Sequence, residues 1–167
     1  MVSAWFCGLG PVLAADTPSQ AADHARFVSI TRQLEAAPLQ ESLHADRAWA
    51  MRWLAETHDV SVTICYALSG MGDDYRYGNE LLAQYAFAMG ALIIEHPEAA
   101  SNGEAQQLVG AEGVLKAYSA ILKEKPDAKS ANLERLRDFQ ARGELPMFVS
   151  KAYASCLEDA RRAPAKG

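Results

Sequence analysis

The stretch "VSVTICYALSGMGDDYRYGNE", Val60 to Glu80, decides the fold class. In its first half Val60, Val62, Ile64, Tyr66 and Leu68 alternate with smaller residues, which is a strand pattern. No second convincing strand occurs in the chain to pair with it. A lone strand leaves its backbone donors and acceptors unsatisfied. Strand and helix both stay open for residues 60–69. A short buried helix over about 59–69 is the better fit, and it makes the chain all-α. The loop "GMGDD" then reverses direction, with Asp73 or Asp74 expected to help start the next helix.

Outward from this stretch the signals are helical. Downstream, Leu81 to Ile94 is apolar on all sides, as a central buried helix should be. At about 14 residues it falls short of the roughly 20 that cross a bilayer, so no transmembrane segment is expected. Ala83, Ala86 and Gly90 form a small-residue strip that would let a neighbouring helix come close. Ser101 and Glu104 read as a capping box for a helix carrying Leu108, Ala111, Leu115, Tyr118 and Leu122, stopped by Pro126. A shorter helix over about 130–142 has Ser130 as N-cap and Gly143 just beyond it. A last helix begins near Pro146, with Val149, Ala152, Tyr153, Cys156 and Ala160 as its apolar stripe.

Upstream, residues 18–36 place Phe27, Ile30 and Leu34 at helical spacing, with Pro18 in the first turn. A second helix spans about 40–57, where Leu43, Ala50, Met51 and Leu54 make a stripe. The architecture expected is one all-α domain, a bundle of about six or seven helices over residues 16–162, with a disordered tail at 163–167.

Half of the 167 residues are apolar and 22% are charged, as in a globular protein. The net charge of −5 argues against nucleic acid, which needs clustered Lys and Arg. The one adjacent basic pair, Arg161–Arg162, reads as solvated tail. The first fifteen residues, "MVSAWFCGLGPVLAA", are uncharged and apolar and end in small residues. They look like the core and cleavage region of a secretory signal peptide, without the basic residue that opens one. The expected location is periplasmic or secreted. Removal of that leader takes Cys7 with it. The mature chain keeps Cys65 and Cys156, and an even count in an exported protein favours a disulfide. That bond would close a loop of about 90 residues, worth about 4–5 kcal/mol on chain-entropy grounds.

Chemical motifs are sparse. Cys65 could be a nucleophile, but its neighbours Val62, Ile64, Tyr66 and Leu68 disfavour the thiolate. His24, His44, His58 and His96 show no i, i+4 pair for a metal, and no calcium loop surrounds Asp73–Asp74. No metal or cofactor is expected. Glu56, Asp59, Glu80 and Glu95 are carboxylates available for acid–base work, without a motif around them. The candidate contact surface comprises Trp49 and Trp53, one turn apart, with Asp73, Asp74, Tyr75, Arg76 and Tyr77 in the loop. Tryptophans at helical spacing more often pack a core.

Two resemblances add to this. "GVLKAYSAILKEKPDA", Gly113 to Ala128, resembles the second helix of a tetratricopeptide repeat, and "AFAMGALIIEHPEA", Ala86 to Ala99, echoes it. The two prolines are about 29 residues apart against a period of about 34, and the first-helix signature is missing. A tetratricopeptide-like hairpin would imply peptide binding. Over about residues 35–156, "RAWAMRWL", "DVSVTIC", "LLAQYAFAM", "IEHPE", "AYSAILKEKPDAK" and "GELPMFV" resemble uncharacterised secreted bacterial proteins. That resemblance implies export and bacterial origin, and no activity. The expectation is an exported helical binding or accessory protein of the bacterial envelope, with a protein, peptide or glycan partner. The competing reading is a small secreted hydrolase using Cys65 or carboxylates within residues 56–80.

Overall fold

The computed structural model describes residues 18–68 and 74–162. Six α-helices follow one another: α1 (Pro18–Ala36), α2 (His44–Glu56), α3 (Gly78–Glu95), α4 (Gly103–Glu124), α5 (Ala131–Ala141) and α6 (Leu145–Arg162). Short 3-10 turns at Glu41–Leu43, Tyr66–Leu68 and Pro97–Ser101 join them, and no strand occurs among the described residues. The leader expected at 1–15, Asp73 and the disordered tail expected at 163–167 lie outside the described residues.

The all-round apolarity of α3 has a geometric cause. Leu81, Tyr85 and Met89, four apart, face a core shared with α4, α5 and α6. Ala83, Phe87 and Ala91, also four apart, face a second core built with Phe27, Ile30 and Leu34 of α1 and Ala50 of α2. The two sets sit on opposite sides of one helix, so α3 divides the interior between them. Its small residues permit close approach. A Cβ on Gly90 would lie 3.0 Å from the Phe27 ring, and one on Gly110 of α4 would lie 2.7 Å from the Tyr85 ring.

Caps explain several boundaries. Asn102, not Ser101, caps α4: its Oδ1 accepts from the Ala105 N–H at 3.1 Å. Ser101 instead ends the preceding 3-10 turn, and with Ala105 at the third helical position Asn102 caps alone, without the reciprocal bond of a capping box. At the end of α5, Gly143 takes φ of +71°. Its N–H reaches the Gln140 carbonyl and the Glu144 N–H reaches that of Phe139, the paired bonds of a Schellman stop. α3 starts without a carboxylate cap. Tyr77 holds the N-cap position and makes no side-chain cap bond, and Asp74 is exposed.

The stretch 57–65 is neither the short helix favoured above nor a paired strand. It runs irregular and extended until the 3-10 turn at Tyr66–Leu68. Val60 and Cys65 are buried, Val62 and Ile64 half-buried, and Ser61 and Thr63 exposed. The β-branched run Val60, Val62, Thr63 and Ile64 disfavours helix. Val62, Ile64 and Cys65 lie against the first core. The missing ladder is replaced in part by a side chain, since Gln107 Nε2 of α4 donates to the Thr63 carbonyl at 2.6 Å. The same glutamine accepts from the Tyr85 hydroxyl.

Other side chains also depart from expectation. Met51 is 45% exposed rather than core, while Trp53 turns toward Phe27, ring centres 4.7 Å apart. Ala160, placed on the apolar stripe of α6, is exposed, and Arg161–Arg162 belong to the helix rather than to a tail.

Candidate functional site

Cys65 is bonded to Cys156, with Cα atoms 6.1 Å apart and a sequence separation of 91. The bond ties the extended stretch to α6 and leaves Cys65 without a thiol.

The aromatic loop residues are anchored. Tyr75 donates to the Ala128 carbonyl at 3.0 Å, and Arg76 Nη2 pairs with Asp127 Oδ2 at 2.9 Å. Tyr75 packs edge-on against Tyr77 and Tyr118. Tyr118 in turn donates to Glu134 and accepts from the Ser130 N–H. Burial pushes the Tyr75 hydroxyl up to about 12, with the Tyr118 hydroxyl adding to it. The Tyr118 hydrogen bond, helped by Arg137, holds Glu134 below the usual carboxylate range. Trp49 and Trp53 stack on each other, 6.1 Å apart, and belong to the second core, whereas Tyr75 and Tyr77 pack on the first. The guanidinium of Arg26 lies 4.0 Å from the centre of the Trp49 ring.

A groove of about 360 Å³ opens between α2 and the first turns of α3, within the range of small ligand sites. His44, Arg47, Ala48 and Met51 line it from α2, and Asn79, Glu80 and Ala83 from α3. The α2 set recurs every three or four residues and so shares one face. Trp49 and Trp53 use the opposite side of that helix. Arg47 donates to the Pro38 carbonyl. Burial lowers its pKa, opposed by the charge of Glu80. No hydrogen bond engages the side chains of His44, Asn79 or Glu80 among the described residues. Sequence reasoning missed this face because Met51 read as part of an apolar packing stripe. The signal available was a His, an Arg and a Met on one stripe.

A second pair of hollows, about 530 and 270 Å³, shares His24 as a wall. His24 Nε2 lies 3.7 Å from Asp59 Oδ2, which also accepts from Gln20 at 3.1 Å. Asp59 is thus the carboxylate of the 56–80 region that meets a histidine. No group of three or more His, Cys, Asp or Glu is placed to hold a metal among the described residues. No helix among them is long and apolar enough to cross a membrane. Compared with known protein families, with curated proteins and with solved structures, the chain matches none.

Proposed function

We propose that this chain is an exported binding or accessory protein of the bacterial envelope. The Cys65–Cys156 bond carries the reading, because such bonds persist in oxidising compartments and are rare in the cytosol. The leader-like first fifteen residues support it independently. The groove, where no hydrogen bond engages the side chains of His44, Asn79 or Glu80 among the described residues, supplies a surface suited to binding. The test is mass spectrometry of protein recovered from periplasm or medium. An N-terminus near Ala15 or Asp16 is expected, and full-length protein confined to the cytoplasm would overturn the reading.

A hydrolase is the second reading, favoured by His24 beside Asp59 at the edge of two hollows. With Cys65 bonded, its nucleophile would be water activated by that pair. The reading requires turnover of a peptide or glycan substrate that His24→Ala abolishes. Turnover unchanged in that variant removes it.

A further inference from the structure

The groove between α2 and α3 has a chemistry that narrows what fits it. Arg47 on one wall and Glu80 on the other bring opposite charges to a single hollow. A phosphate or a lone carboxylate would gain Arg47 and meet repulsion from Glu80. An amine would meet the reverse. A neutral dipolar group gains from both. Asn79, exposed at the start of α3, offers one acceptor and two donors on a planar amide. That set matches a peptide group, which carries one acceptor and one donor. Apart from His44, the rest of the surface is apolar and adaptable, with Met51 exposed beside Ala48 and Ala83. A bare acyl chain would cover these polar side chains without pairing them, which is costly. A sugar would find no Phe, Tyr or Trp face in the lining, whose one ring is the His44 imidazole.

We propose that this groove binds an extended polypeptide segment of a partner protein. One peptide group is held among Arg47, Asn79 and Glu80, and an aliphatic side chain lies on Met51, Ala48 and Ala83. This assignment rests on the binding reading above and names the partner class. Arg47 also holds the Pro38 carbonyl, so the groove is partly built before a ligand arrives. The occupant orders Asn79, Glu80 and Met51.

The experiment is a titration of isotope-labelled purified protein, followed by nuclear magnetic resonance. Acetyl-Ala-Leu-Ala-amide is the probe, raised to millimolar concentration, with N-acetylglucosamine and hexanoate as parallel arms. The peptide should shift the Met51 and Ala48 methyls and the Asn79 side-chain amide in a saturable manner. Asn79→Ala and Met51→Asp should each weaken binding by about tenfold or more. Unchanged methyl shifts for Phe27's core neighbours Ile30 and Leu34 would show that both variants remain folded. A groove silent to the peptide would overturn the proposal. So would a response to hexanoate or N-acetylglucosamine that equals or exceeds the peptide's, or peptide binding indifferent to Asn79→Ala. A silent groove leaves export standing, and an unprocessed N-terminus leaves the groove standing, so the two failures are separable.

Discussion

Gly113 of α4 lies against Ala88 of α3 so closely that a Cβ on the glycine would sit 2.6 Å from the Ala88 Cβ. Both atoms are fixed to helix backbone, so neither can swing aside. Gly113→Ala gains about 1 kcal/mol of helix propensity but forces two helices apart, an overpacking cost of about 1–3 kcal/mol. Net destabilisation of up to about 2 kcal/mol is expected in urea unfolding. Gly78, in the first turn of α3, has nothing within 4 Å of its would-be Cβ. Gly78→Ala should stabilise by about 0.4–1 kcal/mol. Equal effects of the two changes would contradict the close α3–α4 crossing.

Gln107 joins Tyr85 to the extended stretch through Thr63. Tyr85→Phe removes the donor to a buried amide oxygen and should cost about 1–3 kcal/mol. Thermal unfolding within a degree of the parent would show that Gln107 finds another donor.

The alkaline limb of stability reports on Tyr75. Its folded pKa, about 12, lies above the ordinary tyrosine value of about 10. A raised pKa contributes stability that is complete below the unfolded value and lost as pH climbs through the folded one. Tyrosinate absorbance of the parent minus that of Tyr75→Phe should therefore titrate near pH 12. A difference centred near pH 10 would place Tyr75 in solvent. Glu134 has the opposite sign. Its depressed pKa contributes stability above the ordinary carboxylate value that is lost on acidification. Glu134→Gln should flatten the acid limb.

Legibility followed how local each cause is. The two-sided apolarity of α3 could be read because it lies within one helix. Gly143 could be read because only the left-handed region suits its place after α5. The α4 cap shifted from Ser101 to Asn102, two adjacent residues that both cap well, and the chain entering from Pro97 chose between them. The stretch 57–65 was misread because an isolated extended segment looks unsatisfied until Gln107, more than forty positions away, supplies a partner. The groove was illegible for a related reason. His44, Arg47 and Met51 gain meaning only when α3 brings Asn79 and Glu80 opposite them.

The disulfide should matter for stability as well as location. Replacing both Cys65 and Cys156 with Ser frees a loop of 91 residues in the unfolded chain. A loss of up to about 4–5 kcal/mol in urea unfolding is expected. A double variant as stable as the parent would mean the extended stretch is held by packing and Gln107 alone.

Thiol labelling of the protein recovered from the cell envelope or medium, with and without reductant, tests the central claim most directly. No labelling is expected under native or denaturing conditions until reductant is added. Two thiols, Cys65 and Cys156, should then appear, with Cys7 absent. Rapid labelling of Cys65 without reductant would contradict the bond, the oxidising compartment and the binding-protein reading together, and would restore Cys65 as a nucleophile.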